Sequence, residues 1–186
     1  GYFVDNEISW GNDTDLAVWT LASPKTQQAK QVFVADLKKK YRKIGKLNLT
    51  WSTSHASWDE LLASRSTPDR KNASADLKAF VTKTAETYFR ACREEVRRIA
   101  PRNLYLGCRF AWVNDLAVRA AAKYADVISY NLYKRSVADF RNPSRDKPLI
   151  IGEFHFGALD RGMFHTGLVP VENQAARAGA YKDYVL

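Results

Sequence analysis

Four short segments of nearly continuous hydrophobic residues predict buried β-strands. Each is rich in Val, Ile, Leu, Tyr or Phe and is bounded by Asn, Asp, Pro or Gly. The segments cover residues 1–6, 103–110, 126–133 and 148–154. Hydrophobic side chains on both faces of a strand are typical of a parallel sheet that is covered by helices on each side.

Stretches with helical periodicity lie between and after these strands. They cover residues 25–43, 74–100, 114–125 and 171–186. Helix start signals support three of them: Ser23-Pro24 before the first, Ser74 at the second and Asn114 at the third. We interpret residues 44–72 as short helices and loops, with one helix at 57–64. Alternating strands and helices predict an α/β protein with a parallel sheet.

The number of predicted strands favours part of a larger fold. Four strand–helix units make half of an eight-stranded (β/α) barrel, which typically needs about 250 residues. An open four-stranded sheet is the alternative. The sequence begins within a predicted strand and ends within a predicted helix. We therefore expect residues 1–186 to form a single partial domain, a TIM (β/α)8 barrel fragment truncated at both ends.

The composition and charge of the chain indicate which kinds of binding partner to expect. Hydrophobic residues make up 46% of the chain, but no apolar run approaches the roughly 20 residues that span a bilayer. The net charge is +9, and its basic residues lie mainly at 35–43 and 89–102, mixed with Glu and apolar residues. This mixture favours two solvated helix faces over a nucleic-acid site. A polyanionic substrate such as a sulfated polysaccharide stays open.

Cysteine and histidine spacing predicts neither a metal site nor another cofactor. Cys92 lies in a helical pattern and Cys108 in a strand pattern, so we expect buried thiols and no disulfide. His155 and His165 belong to a glycine-punctuated loop at 154–167. Their spacing matches no common zinc pattern, so contact with a substrate is the favoured role.

Two carboxylates are predicted at the carboxyl ends of different strands: Glu7 and Glu153. In parallel α/β folds, active sites form at that edge of the sheet. Glycoside hydrolysis requires two carboxyl groups, one that protonates the leaving oxygen and one that attacks the anomeric carbon or activates water. A single Glu at a strand end is more often a helix cap or an ion pair. The pair on two buried strands favours catalysis.

Polar residues near the two glutamates extend the candidate site. Asn6 directly precedes Glu7, and an amide there can bind a sugar hydroxyl. Strand alternation puts Asn131 and Tyr133 on one face, where the tyrosine hydroxyl can donate to an ionised carboxylate. A solvated hydroxyl on a rim aromatic explains Tyr133 equally well. Arg109 interrupts a buried strand and therefore needs a partner or an anionic neighbour, for which a site carboxylate is suitable.

Tryptophans provide the candidate surfaces for stacking on sugar rings. Trp10 follows the Asn6-Glu7 pair most closely in sequence and is included among the substrate-binding candidates. For any one tryptophan, packing in the core is the more common role. The five tryptophans are Trp10, Trp19, Trp51, Trp58 and Trp112.

Several of these motifs together resemble glycoside hydrolase family 50, the β-agarases, and more widely the retaining (β/α)8 glycosidases that include the family 42 β-galactosidases. The motifs are "GYFVDNEISWG", "LYLGCRFA", "DVISYNLY" and "KPLIIGEFHFGALDRGMFHTGLVPV". The resemblance implies that the predicted strands are strands four to seven, the C-terminal half of the catalytic barrel. It also implies that Glu7 is the general acid/base, Glu153 the nucleophile and Tyr133 the residue that holds it.

The resemblance implies hydrolysis of β-1,4 galactosidic bonds of agarose or neoagaro-oligosaccharides by double displacement. It further implies a secreted or periplasmic full-length bacterial enzyme, with no cofactor and with neither nucleic acid nor membrane as partner. The alternatives are a β-galactosidase of the same clan and a non-catalytic carbohydrate-binding barrel fragment. Because strands one to three and strand eight are absent from this sequence, we expect the chain alone to be inactive and to self-associate.

Overall fold

The computed structural model describes residues 1–144 and 146–186. These residues form helices and a parallel pair of strands, an α/β arrangement. In chain order the elements are α1 (Asp15–Ala22), α2 (Gln28–Tyr41), α3 (Ile44–Trp51), α4 (Trp58–Ala63), α5 (Ser74–Ile99), α6 (Asp115–Tyr124), β1 (Ile128–Asn131), β2 (Leu149–Glu153) and α7 (Gln174–Val185). Among the described residues, no helix is long and apolar enough to cross a bilayer.

The helices predicted from periodicity are confirmed. Asn114 caps α6, since its Oδ1 accepts from the backbone N–H of Ala117 at 3.1 Å. Ser57 caps α4 in the same way, with Glu60 N–H at 3.1 Å from its Oγ. Helix α1 was not predicted. Its buried residues include Asp15 and Thr20 as well as three apolar ones, so the sequence shows no clear polar face.

One compact unit comprises residues Trp10–Ala91 and Val113–Lys123. Its helices enclose an apolar core in which Phe33 and Phe80 stack with ring centroids 4.1 Å apart. A buried carboxylate, Asp76, lies among them and accepts three hydrogen bonds. The donors are Lys40 Nζ at 2.5 Å, Tyr41 OH at 2.6 Å and Trp51 Nε1 at 2.8 Å. Asp76 thereby links α2, α3 and α5.

The second compact unit comprises Gly1–Ser9, Cys92–Trp112 and Tyr124–Leu186. Four segments run parallel in it, in chain order. The first pairs with the second at Tyr2 and Tyr105, and the second with β1 at Phe110 and Tyr130. β1 then pairs with β2, with Ile128 opposite Leu149.

The prediction of four regular strands is wrong in part. Residues 126–133 and 148–154 contain β1 and β2, whereas 1–6 and 103–110 make only isolated parallel bridges. The backbone explains the difference, because φ is positive at Asp5, Glu7, Gly107 and Arg109. Left-handed residues interrupt the extended ladder and turn the chain where these segments end.

Aromatic packing anchors α7 in the same unit. Phe154, one residue after β2, stacks on Tyr184 with ring centroids 4.4 Å apart. The Tyr184 hydroxyl also donates to the backbone oxygen of Leu132 at 3.0 Å. α7 thus holds both β1 and β2 from one side.

The basic stretches lie partly exposed on helices, and the prediction of a buried thiol holds for Cys108 but not for Cys92. Lys38 and Lys39 are exposed in the last turn of α2. Arg97 forms an ion pair with Asp126 at 3.0 Å. Cys108 is buried, Cys92 is half-buried, and neither is in a disulfide.

Candidate active site

The four parallel segments end side by side and bring the predicted polar residues together. Glu7 N–H donates to the backbone oxygens of Cys108 and Arg109, at 3.2 and 3.3 Å. Asn131 N–H donates to Phe110 O at 2.8 Å, and Asn131 lies opposite Glu153 in the pairing of β1 with β2. Their carboxyl ends therefore form one edge.

Donors hold both carboxylate oxygens of Glu153. Tyr133 OH donates to Oε2 in a short hydrogen bond. Arg109 Nη1 lies 3.0 Å from Oε1. The prediction that Arg109 requires a partner or an anionic neighbour is confirmed, and so is the contact of Tyr133 with a carboxylate. Side chains from two other parts of the unit therefore fix both oxygens of Glu153.

The Tyr133 hydroxyl stays protonated in the pH range in which enzymes usually work. Its hydrogen bond to Glu153, together with burial and the negative charges of Glu153 and Glu7, raises the pKa of Tyr133 to about 12, against the opposing effect of Arg109. The hydroxyl therefore stays protonated well below pH 12 and can act as the hydrogen-bond donor to Glu153.

Arg109 reaches Glu153 because of two local features. Its own φ is +48°, an uncommon backbone for a residue with a side chain. Gly152, the residue before Glu153, leaves room for its stem: a Cβ at Gly152 would lie 2.6 Å from Arg109 Cδ. The guanidinium is 5.3 Å from the ring centroid of Phe3, a cation–π distance.

Asn6 and Glu7 share a single donor, the amide of Asn131. Asn131 Nδ2 is 3.1 Å from Asn6 Oδ1 and 2.8 Å from Glu7 Oε1. Glu7 has φ +53° and is half-buried, while Asn6 is exposed. The adjacent amide and carboxylate are thus oriented by a residue more than 120 positions away in sequence.

The two histidines organise the loop after β2. His155 Nε2 accepts from Leu168 N–H at 2.9 Å, and its ring lies 5.1 Å from the ring of Tyr133. His165 Nδ1 accepts from Gly167 N–H at 3.2 Å. A parallel bridge between Gly157 and Pro170 closes the loop at its base. His155 is next to the Tyr133–Glu153 pair, whereas His165 is exposed within the loop.

Trp10 is buried in the other compact unit. It is 5% exposed, stacks on Phe89 at 5.4 Å and meets Tyr88 edge-on at 5.6 Å. Neither ring face is available to a sugar, so this placement matches the core-packing alternative. Trp51 is also buried, whereas Trp19 and Trp112 are 53% and 67% exposed.

Sequence reasoning missed two contributors to the site, Gly152 and Phe3. A glycine inside a hydrophobic strand is a known sign of close approach by another group, so "LIIGEF" contained the signal for Gly152. No local signal marks Phe3, because its contact with Arg109 depends on the pairing of distant segments. Among residues 1–144 and 146–186, no cluster of three His, Cys, Asp or Glu has the arrangement of a metal site.

This geometry suits chemistry that needs two carboxyl groups in different environments. Glu153 meets a cation and a hydroxyl donor, as a carboxylate nucleophile requires. Glu7 accepts from one neutral amide. The pair can thus divide nucleophilic and proton-transfer roles.

Comparison with known proteins identifies the family of this chain. A family model described as beta-galactosidase, glycoside hydrolase family 42, matches residues 4–174. Beta-agarase B of Vibrio sp. (strain JT0107) is 40% identical over 200 residues, which cover 100% of this chain and 21% of that protein. The chain therefore spans about a fifth of the length of this curated relative.

Solved structures give a matching result. An agarase, AgWH50C, superposes with a TM-score of 0.87 at 40% identity, over 99% of this chain and 28% of that one. An exo-beta-agarase superposes with a TM-score of 0.89 at 38% identity, over 99% and 27%. The predicted resemblance to β-agarases is confirmed.

Proposed function

We propose that this chain, which belongs to the family 42 (beta-galactosidase) group of glycoside hydrolases, is the catalytic part of a retaining β-agarase. The substrate would be agarose or its neoagaro-oligosaccharides, cleaved at β-1,4 galactosidic bonds. The observation that supports this most strongly is the environment of Glu153, whose two oxygens both meet donors at the edge where Glu7 also lies.

In the proposed reaction, Glu153 attacks the anomeric carbon and forms a covalent glycosyl–enzyme ester. At the same time Glu7 gives its proton to the departing glycosidic oxygen, so the C–O bond breaks without releasing a free alkoxide. Water then attacks the ester while Glu7 takes back a proton, and Glu153 leaves as a carboxylate. Tyr133 and Arg109 stabilise that carboxylate before and after each turnover.

The remaining candidates would contact the substrate. Asn6 is exposed beside Glu7 and suits a sugar hydroxyl. His155 is next to Tyr133, and His165 is exposed in the loop after β2. Asn131 is buried and Trp10 packs in a core, so neither position favours direct contact with a sugar.

The four parallel segments would be strands four to seven of a (β/α)8 barrel, and residues 1–186 one partial catalytic domain. Their order along the chain, each pairing with the next, supports this. The barrel would be completed by segments outside this sequence. We also propose that the full-length enzyme is secreted or periplasmic, since polymeric agarose would have to be cleaved outside the cytoplasm.

The experiment uses the full-length protein and a 2-deoxy-2-fluoro-β-galactoside with a good leaving group, which accumulates the covalent intermediate. We expect mass spectrometry to find the sugar on the peptide that contains Glu153, and E153Q to abolish labelling. Labelling elsewhere, or an inverted product by NMR, would overturn the retaining mechanism. Hydrolysis of agarose against that of aryl β-galactosides separates a β-agarase from a β-galactosidase, the second candidate that the family model favours.

A further inference from the structure

We infer that Asn131 is a positioning residue. It selects the oxygen of Glu7 through which the proton moves, and it also selects the end of the Asn6 amide that faces the substrate. The inference rests on the proposed function, because it assumes that Glu7 transfers a proton. It differs from a sugar-binding role for Asn131, since this residue would act entirely through its two neighbours.

The amide of Asn131 uses both of its hydrogens within the protein. Nδ2 is 3.1 Å from Asn6 Oδ1 and 2.8 Å from Glu7 Oε1. Asn131 is 3% exposed, so water does not compete for these bonds. A buried donor to a carboxylate is stronger than a neutral hydrogen bond at the surface.

The observed orientation of this amide lets both of its hydrogens reach an acceptor. With Asn6 as observed and Glu7 ionised, turning the Asn131 amide by 180° would direct Asn131 Oδ1 at Asn6 Oδ1 and Glu7 Oε1, so three acceptors would meet. In the observed orientation Asn131 Oδ1 is buried with no hydrogen-bond partner in the described part of the chain. The two donations by Nδ2 thus coexist with one unpaired buried acceptor, which lowers their net stabilisation.

This orientation assigns separate tasks to the atoms of Asn6 and Glu7. Oε1 of Glu7 accepts from Asn131, so Oε2 is the oxygen that gives and receives the proton. Oδ1 of Asn6 is likewise occupied, so its Nδ2 remains to donate to a hydroxyl oxygen of the sugar. The substrate therefore meets a proton carrier and an N–H donor whose positions are set together.

The backbone of Asn131 makes this positioning rigid. Its N–H donates to Phe110 O at 2.8 Å, and it lies opposite Glu153 in the ladder. The side chain thus connects Glu7 to the strand that neighbours Glu153. A shift of about 1 Å in a catalytic group can reduce the rate by about 100-fold.

The test compares two substrates in the full-length protein: a neoagaro-oligosaccharide, whose leaving group needs a proton, and the 2,4-dinitrophenyl glycoside of a neoagaro-oligosaccharide, whose leaving group does not. We expect N131A to lower kcat on the oligosaccharide by about 100-fold. The rate of the first-turnover burst of dinitrophenolate should fall only a few-fold. N131D keeps the size but lacks both hydrogens, so its loss on the oligosaccharide should be at least as large. N142A, an asparagine that accepts from Tyr130 at 3.1 Å, is the matched control.

The results distinguish the positioning role of Asn131 from the proton-transfer role of Glu7. Equal losses of N131A on both substrates, or full activity of N131D, would overturn the positioning role. If N131A does not fold, N131D alone gives the same comparison. E7A tests the proposed function separately: it should show the same selectivity, and an E7A enzyme that cleaves the oligosaccharide normally would refute the role of Glu7 itself.

Discussion

Tyr133 and Glu153 form a hydrogen-bonded pair that joins the end of β1 to the end of β2, with the tyrosine as donor to Oε2. Arg109 contacts the other oxygen of Glu153 at 3.0 Å. Neither donor adjoins Glu153 in sequence. The environment of Glu153 therefore depends on the pairing of the parallel segments that bring the three residues together. Removing either donor should therefore change the chemistry of Glu153 without changing its place in the strand.

Tyr133→Phe should lower kcat/KM of the full-length protein by about 10- to 100-fold, because a hydrogen bond to a charged group contributes roughly 1.5–3 kcal/mol. Steady-state kinetics on a neoagaro-oligosaccharide measure the loss. Since the pKa of Tyr133 is about 12, its ionisation should leave the pH–rate profile unchanged at any pH well below that value. Tyr130→Phe, whose hydroxyl contacts Asn142, is the control; equal losses in both variants would contradict the prediction.

Gly152→Ala should reduce activity far more than stability. The new methyl group would lie 2.6 Å from Arg109 Cδ and 3.2 Å from Asn131 Oδ1, which displaces the arginine from Glu153. Thermal unfolding and kcat should be measured together. Gly179→Ala in α7 meets no atom within 4 Å and should be neutral or slightly stabilising. An active Gly152→Ala enzyme would mean that the Arg109 contact is dispensable.

Asp15 should make the stability of the unit formed by Trp10–Ala91 and Val113–Lys123 sensitive to acid. The N–H of Asn12 and then the guanidinium of Arg70 lower the pKa of Asp15 below its ordinary value of 3.8. Its stabilisation is therefore complete above pH 3.8 and is lost as the pH falls through the lower, folded-state pKa. Urea midpoints between pH 2 and 5 should fall less steeply in Asp15→Asn than in wild type; these pH limits bracket the usual carboxyl range of about 4.

The control for this experiment is Asp13→Asn, which removes an exposed carboxylate paired with Lys78 at 2.7 Å. Its pH dependence should match that of the wild type, because exposed pairs contribute little. An identical slope in Asp15→Asn and wild type would contradict the role of Asp15.

Asp76→Asn should destabilise the helical core. Lys40 bonds Oδ1 of Asp76, whereas Tyr41 and Trp51 bond Oδ2, so the amide nitrogen that replaces one oxygen removes the acceptor of either Lys40 or the Tyr41–Trp51 pair. The expected loss is about 1–3 kcal/mol in the free energy of unfolding, measured by denaturant titration. Asp36→Asn, which breaks an exposed pair with Lys83, should cost much less, and equal costs would refute a special role for Asp76.

The chain produced alone should self-associate. Tyr2 and Phe3 are 51% and 39% exposed on the first parallel segment, and Leu149 and Ile150 are each 38% exposed on β2. Exposed apolar strand edges pair with other chains. Sedimentation velocity should show oligomers that Ile150→Lys reduces, because the introduced ammonium groups of two associating chains repel each other. A wild-type monomer at high concentration would contradict this.

The sequence predicted the features that depend on local pattern. Periodicity located α2, α5, α6 and α7, and strand ends located Glu7, Glu153 and Tyr133. Features that depend on long-range geometry were not visible. The role of Asn131 depends on an amide orientation set by residues more than 120 positions away, and burial of Trp10 depends on Phe89. Positive φ values at Asp5 and Arg109 interrupt two segments that their hydrophobicity had predicted as strands, so that these segments form only isolated bridges.

The loop after β2 can change at its tip while its base keeps the same geometry. Its base is closed by the bridge between Gly157 and Pro170, and His155 fastens it to Leu168. Insertions or exchanges at its exposed tip, around Phe164, therefore need not displace Glu153. The tip is therefore a place where new recognition segments could be grafted without moving Glu153, provided that His155 and His165 are kept.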